Sequence, residues 1–176
     1  MKVRAVQNPS AMGNAKHLLL LRHAKSSWDD PAVRDHDRPL APRGHKAAKL
    51  IGARLRTDQT PISLVLCSSA RRARETLDLV APPGKIEIDN RLYGASADEL
   101  LERVRRVPDD VNAVMLVGHN PAIHDLAVDL LSNAGELAVA KFPTGALATL
   151  TFTGSWGSLA PRRAELVAFV KPRELG

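Results

Sequence analysis

Apolar positions along this chain fall into short unbroken runs, and between the runs they recur at helical spacing. Leu18–Leu21 is a run of four leucines bounded by polar residues, the pattern of a strand buried on both faces. Ser63–Cys67, Ala113–Val117, Ala146–Phe152 and Glu165–Val170 read as further strands, and Lys85–Ile88 alternates like a short one. Pro42 suits the first turn of a helix running to about Arg56, with Ala47, Ala48, Leu50, Ile51 and Leu55 on its apolar face. Ala70–Val80 reads as a second helix. Ser96 with Glu99 three residues on starts a third, which reaches Val107, and Pro121 opens a fourth that runs to Leu131. Strands alternating with helices predict an α/β fold on a mainly parallel sheet. No helix separates the last two strands, so these are expected to pair antiparallel. Residues 1–16 read as a flexible tail, and residues 17–176, without repeat or linker, as a single domain.

Composition narrows the partners. Aromatic residues are 3% of the 176 residues against 44% hydrophobic, so the core is aliphatic and a base-stacking surface is poorly supplied. The net charge is +6, but the arginines are scattered, with small clusters at Arg71-Arg72-Ala73-Arg74, Arg103 to Arg106 and Arg162-Arg163. No basic helix or nucleic-acid module stands out, which leaves a solvated basic surface with a few arginines at an anion site. No nucleic-acid partner is expected. A single cysteine, Cys67, excludes an internal disulfide framework and fits a reducing compartment. Four leucines are too few for a signal peptide or membrane span, so a cytoplasmic monomer without a membrane partner is expected.

The candidate chemistry stands at three predicted strand ends: Arg22-His23-Ala24-Lys25-Ser26, the run from Ser68 to Thr76, and Val117-Gly118-His119-Asn120-Pro121. Parallel sheets collect reactive side chains beyond the carboxyl ends of their strands. A fixed cation beside a titratable imidazole suits phosphate chemistry there. Each segment alone is a weak signal; three in this order are a strong one. Together they resemble the histidine phosphatase superfamily, with its Arg-His box, its Ser-x-x-x-Arg-Ala-x-x-Thr segment and its later Gly-His. Arg-His-Ala-Lys-Ser, Asp37-Arg38-Pro39-Leu40, Arg43-Gly44 and Leu92-Tyr93-Gly94-Ala95-Ser96 make the resemblance closest to the small SixA-type phosphohistidine phosphatases.

The resemblance implies a phosphoglycerate mutase-like three-layer sandwich and a covalent phosphohistidine on His23. It places Arg22 and Arg72 on the phosphoryl oxygens and His119 opposite them as a further donor, with Ser26 a candidate hydroxyl ligand. Neither metal nor cofactor is implied. The implied substrate is a phosphohistidine-bearing protein, such as a phosphotransfer domain, or a small phosphorylated compound.

Two departures sharpen this picture. Asp29 stands where related enzymes carry a phosphate-contacting asparagine, so its carboxylate is expected to point elsewhere or to pair with a cation. The larger branch of the superfamily also carries a glutamate two residues after a leucine, to protonate an alkoxide leaving group. Here Leu92 is followed by Tyr93-Gly94. An imidazole leaves far more readily than an alkoxide, so the gap favours an N–P substrate, with Asp98 and Glu99 as possible replacement acids. No segment is long enough for a large lid, and an open pocket admits a phosphohistidine displayed on another protein.

Alternatives are a broad-specificity phosphomonoesterase or mutase on the same fold, and a non-catalytic phosphate- or nucleic-acid-binding protein. A cysteine-dependent phosphatase needs arginine six positions after its cysteine; from Cys67 that position is Ala73, with Arg72 and Arg74 one residue out on either side. Asp35-His36-Asp37 lacks further ligands at metal-binding spacing and reads as a solvated loop. His17, His36, His45 and His124 read as surface or packing residues.

Overall fold

The structure, a computed structural model, describes residues 15–176; the expected tail up to residue 14 lies outside the described residues. Six strands, β1 (Ala15–Arg22), β2 (Leu64–Ser68), β3 (Lys85–Asp89), β4 (Ala113–Gly118), β5 (Leu147–Thr153) and β6 (Glu165–Val170), form one sheet in the order β3-β2-β4-β1-β5-β6. β1 to β4 pair in parallel, β5 runs antiparallel to β1, and β6 antiparallel to β5. Only β5 is therefore reversed, and β6 again points the same way as β1.

Helices α1 (Pro42–Thr57) and α2 (Arg71–Val80) cover one face; α3 (Ala97–Arg105) and α4 (Ala122–Leu130) cover the other. The leucine run shows why both faces fill. Leu19 and Leu21 pack with Ile51, Leu55, Leu77 and Val80, while Leu18 and Leu20 pack with Leu100, Val104, Ile123 and Leu126. Alternate residues of a strand point to opposite faces, so an unbroken apolar run feeds two cores.

Boundaries differ from expectation in instructive places. β1 begins at Ala15, because Lys16 is buried with its ammonium group on the carbonyls of Asp109 and Val111 and on Asn112 Oδ1. A buried lysine so satisfied extends the strand past the point where hydrophobicity stops. A five-residue helix, α5 (Gly135–Val139), lies in a stretch with no predicted element; it is too short to show a helical period. The Ser96–Glu99 capping box forms as expected, with Ser96 N donating to Glu99 Oε2 at 2.8 Å. No helix among the described residues is long and apolar enough to cross a membrane.

Candidate active site

β1, β2 and β4 end nearly level, since Arg22 pairs with Gly118 and Cys67 with Val117 in the sheet. The residues just beyond these ends therefore converge. His23 continues from β1 with its amide donating to the Gly118 carbonyl at 3.0 Å. Gly145, at φ +77°, turns its amide onto the carbonyls of Arg22 and His23, both at 3.0 Å. A side chain is strained at that φ. On the other side of the loop, Gly44 of α1 packs so tightly that a Cβ there would overlap the Lys25 carbonyl oxygen.

His23 is 7% exposed. Its Nδ1 lies 2.7 Å from the Ala24 carbonyl, and its Nε2 lies 3.3 Å from Arg72 Nε. A carbonyl only accepts and a guanidinium only donates, so Nδ1 carries the proton and Nε2 presents its lone pair. Burial first, then the charges of His119, Arg72 and Arg22, push its pKa down to about 3, against an opposing pull from the Ala24 carbonyl. The imidazole is thus neutral at physiological pH, with Nδ1–H anchored on Ala24 and Nε2 unprotonated beside Arg72.

Arg72 reaches the same place from α2. Its Nη2 lies 3.4 Å from His119 Nδ1 and 3.0 Å from Asp35 Oδ2, and its Nη1 donates to the Asp35 carbonyl at 2.6 Å. His119, following β4, donates from Nε2 to Ser68 Oγ at 2.8 Å, and its ring centroid is 5.1 Å from that of His23. Burial, ahead of the Arg72 charge, lowers its pKa to about 4. Arg22 donates from Nη1 to the Phe142 carbonyl at 2.8 Å, while its Nε is buried without a hydrogen-bond partner among the described residues. Four of the five residues singled out from the sequence thus share one pocket.

Ser26 is placed differently. Its Oγ accepts from Arg38 Nη2 at 2.7 Å, and that guanidinium also lies over the Trp28 ring and pairs with Asp35 at 3.1 Å. Asp29 is exposed, as its unfavourable match to a phosphate ligand requires.

Three contributors went unassigned from the sequence. Asp35, expected in a solvated loop, sits in a short 3-10 turn and accepts from Arg72, Arg38 and, at 2.7 Å, the Tyr93 hydroxyl. These partners, Tyr93 foremost, lower its pKa to about 2. His36 bonds Ser69 Oγ at 3.0 Å and packs edge-on against Tyr93, so it belongs to the rim. Thr76 donates to the Arg72 carbonyl at 2.6 Å and accepts from Ala24 N at 3.0 Å, tying the His23 loop to α2. The Arg-Ala-x-x-Thr spacing, one helical turn apart, is the sequence signal that could have identified it.

The other candidates are committed elsewhere. Glu99 is held in its capping box, and Asp98 is exposed on α3. Cys67 is buried, and burial, with a smaller push from Asp78, raises its thiol to about 12, far from a thiolate nucleophile. Among the described residues no cluster of three or more His, Cys, Asp or Glu side chains is placed to hold a metal ion.

The two depressed histidines of the pocket also set an acid limit on stability. Their folded pKa values, about 3 and about 4, lie below the unfolded value of 6.5, so in that interval the unfolded chain binds more protons. Stability is fully present above about pH 6.5 and falls as pH drops toward 4. Asp35 acts in a lower window, below its ordinary 3.8. The urea midpoint should fall between about pH 7 and pH 5, and less steeply in His23→Gln. Parallel curves for the two proteins would contradict the buried, neutral His23.

The comparisons with known proteins agree with this geometry. The profile of the histidine phosphatase superfamily (branch 1) matches residues 18–96. A proposed phosphohistidine phosphatase SixA from Nakamurella multipartita superposes with a TM-score of 0.82 at 36% identity, over 90% of this chain and 96% of that one. Another proposed SixA, from Agrobacterium tumefaciens, gives 0.76 at 29% identity, over 89% and 99%. An uncharacterized Mycobacterium tuberculosis protein is 43% identical over 159 residues, 87% of this chain and all of that one. The chain belongs to the histidine phosphatase superfamily, and the enzyme class that follows is a phosphatase. Within the superfamily its likeness is to the SixA type.

Proposed function

We propose that this phosphatase removes phosphate from phosphohistidine in a protein, without a metal, through a covalent phosphohistidine on His23. His23 Nε2 attacks phosphorus as the N–P bond of the substrate breaks, and the substrate imidazole departs with its own or a solvent proton. Water then attacks the phosphorus on His23, breaks the new N–P bond and releases inorganic phosphate. Arg22 and Arg72 grip the phosphoryl oxygens throughout. A dianionic group between Arg72 and His119 raises the proton affinity of His119, whose protonated Nδ1 then donates to an oxygen as charge builds up. Asp35, which holds Arg72 in the structure, yields part of that guanidinium to the substrate.

The observation that carries the choice of substrate is the state of Asp35. The carboxylate that contacts Arg72 and Tyr93 is held ionised with a pKa of about 2, so it is a poor proton donor to an alkoxide. An imidazole needs no such donor. The same reading expects a cytoplasmic monomer acting on a protein partner.

Purified protein should therefore hydrolyse phosphoramidate and a phosphohistidine protein with kcat/KM at least about tenfold above that for sugar phosphates, because the ester bears the whole cost of the missing acid. EDTA should change neither rate. A preference for sugar phosphates would instead establish a broad phosphomonoesterase, and loss on EDTA that divalent metal restores would contradict the metal-free mechanism.

A further inference from the structure

Beside the phosphate pocket, on the same edge of the sheet, lies a second basic depression that the chemistry above does not use. It is a groove of about 520 Å³ carrying Lys25, Arg43, Lys46, Lys171 and Arg173; no aspartate or glutamate side chain lines it, and its one anionic group is the terminal carboxylate of Gly176. Lys171 is offset by Glu174 at 3.7 Å. Lys25, Arg43, Lys46 and Arg173 have no ion-pair partner among the described residues. Five cations against one terminal carboxylate leave a clear positive excess, which is costly to hold together and is the footprint of an anionic partner.

Topology fixes its relation to the active site. Lys25 stands two residues beyond His23 at the end of β1, Arg43 and Lys46 open α1, and Lys171 and Arg173 follow β6. The phosphate pocket thus spans the ends of β2, β4 and β1, and the groove spans those of β1, β5 and β6. They meet at the His23–Lys25 loop. Neighbouring strands lie about 4.8 Å apart, so the groove extends roughly 10 Å from His23, the reach of about three extended residues.

We propose that the groove receives an acidic stretch of the protein substrate, within a few residues of its phosphohistidine. This rests on the phosphohistidine reading above. The build of the groove favours a run of carboxylates over a small anion. Its cations are mostly flexible, exposed point charges spread along the cleft, not a converging clamp of arginine forks and backbone amides. Leu50 and Pro172 supply an apolar floor on which side-chain stems can lie.

Histidine peptides phosphorylated with phosphoramidate, flanked on both sides by glutamates or by serines, test this. The wild-type protein should process the glutamate peptide with kcat/KM about tenfold higher, mostly through KM, and high salt should erase the difference. Lys46→Glu/Arg173→Glu should remove or invert that preference while leaving phosphoramidate hydrolysis unchanged, and Lys46→Gln/Arg173→Gln should fall between the two. Fluorescence anisotropy of the unphosphorylated glutamate peptide provides a readout independent of turnover, and its binding should be lost in the charge-reversed protein. Equal rates for the two peptides, or a preference that survives charge reversal, would overturn the proposal. Turnover of neither peptide would sink the phosphohistidine reading instead, and the anisotropy arm would still decide whether the groove binds acidic chains.

Discussion

His23→Ala should reduce hydrolysis of phosphoramidate and of a phosphohistidine protein by about ten-thousandfold or more, the scale on which loss of a covalent nucleophile is felt. The reason lies in the tautomer. The Ala24 carbonyl accepts from Nδ1–H and so leaves Nε2 unprotonated, with Arg72 Nε beside it, while burial and the surrounding cations keep the ring neutral. His119, the other imidazole of the pocket, is turned differently, with Nε2 donating to Ser68 Oγ and Nδ1 facing Arg72. His23→Gln, which keeps an amide in the same volume, should be as inactive, and both variants should retain the wild-type circular dichroism. Substantial residual turnover in either would mean that water attacks the substrate directly.

Arg72→Ala should cost about a hundred- to a thousandfold in kcat, with a smaller rise in KM, because the grip strengthens as charge spreads over the phosphoryl oxygens. Arg72→Lys should recover little of this. One guanidinium in the structure contacts His23, His119 and both a carbonyl and a carboxylate oxygen of Asp35. A lysine point charge cannot reproduce that fan of donors. A loss confined to KM, or full rescue by lysine, would show that Arg72 only attracts substrate. Steady-state kinetics on phosphoramidate separates these cases.

Much of this was legible in the sequence because strand and motif coincide. The leucine run fixes β1, and the residues after β1, β2 and β4 land together once the sheet order places those strands side by side. Lys16 concealed the start of β1, since hydrophobicity does not register a lysine whose charge is met by carbonyls. Asp35 was illegible for a similar reason. Its neighbours along the chain read as a polar loop, and its contacts come from Tyr93, 58 residues away, and Arg72, 37 residues away. Thr76 was visible as part of a motif, but its bridge to Ala24 exists only in three dimensions. The basic groove is likewise assembled from the starts and ends of three elements, so no local run of charge announces it.

The central claim, that His23 carries the phosphoryl group, is tested most directly by quenching turnover with alkali and locating phosphorus in the denatured protein. The account predicts an acid-labile, alkali-stable phosphate on Nε2 of His23, absent from His23→Gln. Phosphate on His119, on Nδ1 of His23, or on no residue during rapid turnover would contradict it.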